Sequence, residues 1–186
     1  RIVDVTSDIN LCYSEHARRY ILDTGVKPEY TFVVGSPMAE VLDGCIEQIH
    51  HSDILNTLGL ESGRYILLSA HREENIDIEE NFFSLMSAVN TMAEKYDMPI
   101  LYSCHPRAKK YIEQRGFVFD RRVIRHEPLG FFDYNKLQQN AFCVVSDSGT
   151  LPEEGAYFRF PAISVRTSTE RPEAMENGIF TVGSIT

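Results

Sequence analysis

The chain has 186 residues, 43% of them hydrophobic, which is enough for a packed core filling one domain and part of another. Its formal net charge of −9 argues against nucleic acid or an anionic membrane surface as the main partner. A local anion site is still allowed, because a phosphate responds to nearby N–H and guanidinium groups more than to the global charge.

Helix and strand patterns alternate along the chain, which predicts the α/β class with a parallel sheet covered on both faces. Residues 14–23 read as a helix with Ser14 as N-cap, and 31–34 as a short strand stopped by Gly35-Ser36-Pro37. Residues 38–58 form one helix or two. A strand at 65–69 delivers His71 at its end, and the helix at 79–96 carries the apolar stripe Phe82, Phe83, Leu85, Met86, Val89 and Met92, which is core. A strand at 99–103, a short basic helix at 107–115, a strand at 123–124, a helix at 134–139 and a strand at 141–145 follow. The basic residues from Arg107 to Arg125 read as a solvated face.

The cysteines (Cys12, Cys45, Cys104, Cys143) show no CxxC, and His50-His51 near Cys45 lacks metal-ligand spacing. Reduced thiols in a cytoplasmic protein, with no metal, are expected. No signal peptide or membrane-length apolar run is present in the sequence.

Three polar clusters sit at strand ends. The first is Ser146-Asp147-Ser148-Gly149-Thr150, a small-residue turn that follows the apolar run 141–145 and opens a helix. Free backbone N–H groups and a helix dipole at such a junction suit a phosphate. Thr150 and Glu153 stand at capping-box spacing, with Pro152 in the first turn. Glu154, one turn in, would repel a phosphate but can accept two hydrogen bonds from a ribose diol. An ordinary strand–turn–helix unit shows the same local pattern.

The second cluster is Arg166 to Glu173 after a strand at 161–165. Two arginines, Arg166 and Arg171, bracket a polar loop, and guanidinium forks recognise phosphates. The third is His71-Arg72-Glu73-Glu74-Asn75, where the histidine can serve as acid, base or phosphate ligand. A structural histidine is the plain alternative, weakened by the company of two other strand-end clusters.

Together these strings resemble the non-hydrolysing UDP-N-acetylglucosamine 2-epimerases. The resemblance rests on Ser69-Ala70-His71-Arg72-Glu73-Glu74-Asn75, on Ser146-Asp147-Ser148-Gly149 with Glu153-Glu154, and on Thr169-Glu170-Arg171-Pro172-Glu173. Upstream, Arg1-Ile2-Val3-Asp4 with Ser7-Asp8, Ser14-Glu15-His16-Ala17 and Val34-Gly35-Ser36-Pro37 follow the same order. Thr150-Leu151-Pro152 departs from the family's common Gly-Ile-Gln. That variant, with the string from Glu127 to Tyr134, is similar to the branch acting on 6-deoxy sugars toward UDP-N-acetyl-L-fucosamine.

The resemblance implies the C-terminal half of a GT-B-type protein, two Rossmann-like domains around a cleft. Residues 1–40 would be the tail of the first domain, 41–63 a connecting helical segment, and 64–186 most of the UDP-binding domain. The implied activity is conversion of UDP-N-acetylglucosamine to UDP-N-acetylmannosamine for bacterial surface polysaccharide precursors, by elimination and re-addition of UDP and without a cofactor. The resemblance places Ser148, Gly149 and Thr150 at the diphosphate, Glu154 at the ribose hydroxyls, Arg171 and His71 at phosphate oxygens, and Tyr134 beside the uracil. Arg72, Glu73 and Asn75 would shape the His71 loop, and a core aromatic is the other reading of Tyr134. The family's acid/base carboxylates fall ahead of the match to Arg1, so this chain alone is expected to be inactive, and the full-length protein is expected to be a homodimer. A non-catalytic UDP-sugar-binding module and a GT-B glycosyltransferase are the competing classes; the His-Arg-x-Glu-Asn and Thr-Glu-Arg-Pro-Glu strings favour the epimerase over the transferase.

Overall fold

The computed structural model describes residues 2–166 and 181–183. By its internal contacts the chain divides into two units, Arg1–Gly44 and Cys45–Thr186.

The first unit holds α1 (Ile2–Thr6), β1 (Asn10–Cys12), α2 (Glu15–Leu22), a 3-10 turn at Pro28–Tyr30 and β2 (Thr31–Val33). The two strands are parallel, with Asn10 opposite Thr31. Ser14 is extended (φ −142°) and its hydroxyl accepts from the Ala17 amide at 3.2 Å, so it caps α2 as its residue type predicts. Arg18 Nε donates to the Thr31 carbonyl at 3.0 Å and fastens α2 to β2. Neither α1 nor β1 is visible in the sequence pattern. A three-residue strand is too short to show an alternation.

The helical stretch at 38–58 is two helices, α3 (Met38–His51) and α4 (Ile54–Leu58). Gly59 ends α4 in the left-handed region (φ +63°), where its lack of a Cβ removes the strain.

The second unit is built on β3 (Ile66–Ser69), β4 (Ile100–Ser103), β5 (Val123–His126), β6 (Cys143–Ser146), β7 (Ala162–Val165) and β8 (Thr181–Gly183). All neighbouring pairs are parallel, in the order β5-β4-β3-β6-β7-β8. This is a Rossmann-like sheet whose strand order reverses between β3 and β6. The connections carry α5 (Glu73–Ile76), α6 (Glu79–Tyr96), α7 (Pro106–Arg115), α8 (Phe131–Asn140) and α9 (Leu151–Phe158).

Both faces of the central strands are covered, which is why Ile66, Leu67 and Leu68 form an unbroken apolar run. Ile66 and Leu68 pack with Phe82, Leu85, Met86 and Val89 of α6 and Ala108 and Ile112 of α7. Leu67 points the other way and joins Leu137 of α8, Leu151 of α9 and Phe160. The α6 stripe is core as its period requires, except that Phe83 stays 36% exposed.

Lys109, Lys110, Arg121 and Arg125 are exposed, as a solvated face requires, but Arg107, Arg115 and Arg122 are tied down. Arg107 Nε donates to Asp77 Oδ1 and its Nη1 to Glu73 Oε1, each at 2.9 Å. Arg115 lies against the rings of Phe82 and Tyr111, 4.6 and 4.5 Å from their centroids, and donates to the carbonyls of Ile76 and Asp77 at 2.7 Å. Arg122 bonds Asp120 and Asp97. The first two clamp the end of α5 to α7. Sequence spacing could not show this, because the acceptors lie some 30 to 39 positions away.

Candidate functional site

Ser69 and Ser146, the last residues of β3 and β6, are register partners, and the Asp147 amide extends the ladder by donating to the Ser69 carbonyl at 3.1 Å. The chain segments that leave these two strands therefore start side by side at the carboxyl edge. In an open parallel sheet, that reversal point is where two connections diverge and leave a crevice for ligand.

Asp147 is wholly buried there. Its Oδ2 accepts from the amides of His71 and Arg72, each at 2.9 Å, and from Asn75 Nδ2 at 3.0 Å. Oδ1 faces His71 Nδ1 at 3.1 Å. Asn75, also fully buried, uses the same nitrogen to reach the Val165 carbonyl at 3.0 Å, so one side chain ties the ends of β3, β6 and β7 together. Asn75 shapes the His71 loop, as the resemblance implied. Burial acts to raise the Asp147 carboxyl, but the bonds from His71, the Arg72 amide and Asn75 outweigh it and hold the group below its ordinary value. His71 moves the other way. Its bond to Asp147 raises it, against the opposing pull of burial and of Arg72.

The turn after Asp147 is a web of hydroxyls. The Ser148 amide donates to Ser146 Oγ at 3.0 Å, and the Thr150 amide to Ser148 Oγ at 3.3 Å. The Ser148 and Thr150 hydroxyls lie 3.0 Å apart. Thr150 does not close the capping box that its spacing to Glu153 predicts. It sits in the helical region (φ −87°, ψ −10°), where its hydroxyl cannot turn back onto the first amides, and Oγ1 donates instead to Glu154 Oε1 at 2.9 Å. Pro152 occupies the first turn as expected. Gly149 is exposed, and a Cβ built on it would meet nothing nearer than Arg166 Nη1 at 3.9 Å. Arg166 is buried beneath the turn, 5% exposed.

Glu154 is 7% exposed, and its Oε2 accepts from Gln138 Nε2 at 2.6 Å. Burial raises its pKa, with Gln138 and Thr150 acting against the rise. Tyr134 packs on the core cluster around Leu67, Leu137 and Leu151. Its phenol is pushed up to about 12 by burial and the Glu154 charge, with the Ser69 and Ser146 hydroxyls pulling it back.

His71, Tyr134, Ser148, Gly149, Thr150 and Glu154 all lie at this carboxyl edge. Arg171, with the rest of residues 169–173, lies outside the described residues. Two participants were not assigned a place from sequence: Asp147 and Gln138. Asp147 carried a signal, a charged residue directly after an apolar strand, and Gln138 carried none. Arg166, read from sequence as one of two arginines suited to a phosphate, lies buried beside the turn. A cleft of about 440 Å³, lined by His71, Arg72, Glu73, Glu74 and Arg107, opens beside the histidine. Among the described residues no His/Cys/Asp/Glu group could hold a metal ion, and no helix is long and apolar enough to cross a membrane.

The sequence profile of the UDP-N-acetylglucosamine 2-epimerases matches residues 1–184. The chain belongs to that family. A UDP-N-acetylglucosamine 2-epimerase of Methanocaldococcus jannaschii is 29% identical over 95% of this chain and 50% of its own. The solved structure of the 2-epimerase from Rickettsia bellii is 38% identical, with a TM-score of 0.83 over 94% of this chain and 46% of that one. The M. jannaschii enzyme in complex with UDP-GlcNAc and UDP gives a TM-score of 0.88 at 26% identity, over 97% of this chain and 51% of that one. The chain thus spans about half the length of the epimerases it matches.

Proposed function

We propose that the whole protein is a UDP-N-acetylglucosamine 2-epimerase and that this chain supplies its UDP-binding half. The observation that carries the reading is the juxtaposition, at the reversal point of a family-matched sheet, of the Ser-Gly-Thr turn with the His71–Asp147 pair. In the proposed reaction a base removes the C2 proton of the sugar while the C1–O bond breaks and UDP leaves. Protonation of the resulting glycal at C2 from the other face, with return of the UDP oxygen to C1, gives the epimer. Donors at a developing phosphate anion lower such a barrier because they act only as charge appears.

In this reading Ser148, Gly149 and Thr150 meet the diphosphate at the start of α9, Glu154 meets the ribose, Tyr134 lies by the uracil, and His71 and Arg171 neutralise phosphate oxygens. The acid/base carboxylates come from outside these residues. The full-length protein works as a cytoplasmic homodimer.

A second reading, a 2-epimerase of a UDP-2-acetamido-2,6-dideoxy sugar, is favoured by Thr150-Leu151-Pro152. Leu151 and Pro152 are buried, and Thr150 bonds Glu154 directly. Assaying the full-length protein on both UDP-sugars, with solvent deuterium incorporation at C2 as readout, tests the function and separates the readings. Failure to exchange C2 on either sugar would leave a non-catalytic binding module. The 186-residue chain alone should bind UDP and exchange nothing; incorporation above a Gly149→Val control would overturn the placement of the missing acid/base groups.

A further inference from the structure

We propose that Asp147 is the positioning residue of His71, holding the ring with Nδ1–H turned into the protein and leaving Nε2 to meet a phosphate oxygen. The ligand half of this inference rests on the nucleotide reading above; the positioning half does not.

The geometry is one-directional. Oδ2 of Asp147 is taken by three N–H donors at 2.9, 2.9 and 3.0 Å, two of them the amides of His71 and Arg72. Those bonds fix the carboxylate and the backbone that carries the imidazole in a single unit. Oδ1 is left facing Nδ1 at 3.1 Å. An ionised carboxylate only accepts, and Oδ1 makes no other hydrogen bond, so this 3.1 Å contact favours a proton on Nδ1 whether the ring is neutral or charged. Nε2 is then the nitrogen whose state changes. The His71 side chain is 45% exposed and lines the 440 Å³ cleft, so Nε2 has access to solute.

Other charges face the ring as well. Arg72 is adjacent and repels the imidazolium, with Glu74 Oε1 3.4 Å from its Nε. Arg107, in the same cleft, is offset by Glu73 and Asp77. His105, the N-cap of α7, holds its ring 6.1 Å from that of His71. The buried carboxylate of Asp147 is the charge in direct contact with the ring. The charged ring is accordingly favoured, and a ring held as imidazolium donates a charge-assisted bond from Nε2 to an anion. Affinity for a diphosphate should then fall as pH rises through the raised pKa of His71.

Imidazole ¹⁵N NMR of the 186-residue chain tests the positioning role without any ligand. The wild type should show the Nδ1–H tautomer when neutral and titrate above an ordinary histidine. In Asp147→Asn one amide oxygen remains for the three N–H donors, while its NH₂ donates to Nδ1. The neutral ring should switch to Nε2–H and its pKa should drop. UDP-N-acetylglucosamine, whose diphosphate diester does not titrate near neutrality, is the ligand probe. Its affinity should weaken by roughly tenfold across the wild-type titration, and Asp147→Asn should move that loss to lower pH. An Nε2–H tautomer in the wild type, which needs no variant to fold, overturns the proposal, as does an unchanged His71 titration in a folded Asp147→Asn. Correct tautomers with no UDP-N-acetylglucosamine binding at any pH would support the positioning role and sink the nucleotide reading instead.

Discussion

Gln138 Nε2 donates to Glu154 Oε2 at 2.6 Å, joining α8 to α9 through two buried side chains. With Thr150 on Oε1, this bond aims a carboxylate at the start of α9 before any ligand arrives. Pre-aimed acceptors suit a diol, because orientation is already fixed when the hydroxyls bind. Glu154→Gln should therefore weaken UDP more than its 2′-deoxy analogue, measured by calorimetry. Equal losses for both would assign Glu154 to the fold.

Gly149 lends itself to a clean test. Its would-be Cβ meets open space and one arginine nitrogen at 3.9 Å, so Gly149→Val should fold and melt close to wild type. If backbone at this turn approaches a diphosphate closely, the valine side chain stands in the ligand's place and UDP affinity should fall tenfold or more. Unchanged affinity in a folded variant would move the diphosphate elsewhere.

If Arg171 meets a phosphate oxygen as proposed, Arg171→Ala should cost UDP a charge-assisted contact of ~1.5–3 kcal/mol, while uridine, which has no phosphate, loses little. Matching losses for UDP and uridine would mean that Arg171 acts through the fold.

The His71–Asp147 pair also sets a pH window for stability. His71 is raised in the folded state, so its contribution is complete below the ordinary value of about 6.5 and is lost as pH rises through the raised one. Asp147 is lowered, so its contribution is present above about 3.9 and is lost as pH falls through the lowered one. The stability gap between wild type and His71→Asn, from denaturant unfolding, should be widest in weak acid and shrink toward alkaline pH. A gap that grows with pH would contradict the pairing.

What the sequence showed and what it hid follow from range. The Ser14 cap and the α6 stripe are local, written in residues three or four apart, and they read correctly. The run Ile66-Leu67-Leu68 announced a strand covered on both faces because nothing polar interrupts it. The short helix α5 did not announce itself: of Glu73-Glu74-Asn75-Ile76, only Ile76 is apolar, and the clamp comes from Arg107 and Arg115 on α7. Thr150 misled because local spacing promised a capping box, while its helical backbone keeps the hydroxyl off the first amides and Glu154, four residues on and oriented by Gln138 of α8, takes it. Asp147 was written in the string but not legible as a partner of His71, since 76 residues separate them and only the β3–β6 register brings them together.

The most direct test of a nucleotide site at the β3–β6 reversal is to titrate the ¹⁵N-labelled 186-residue chain with UDP and map the shifted amides. The largest shifts should fall on residues 69–75 and 146–154, and Gly149→Val should abolish them. Saturable shifts that spare both stretches, or none with UDP present, would contradict the site.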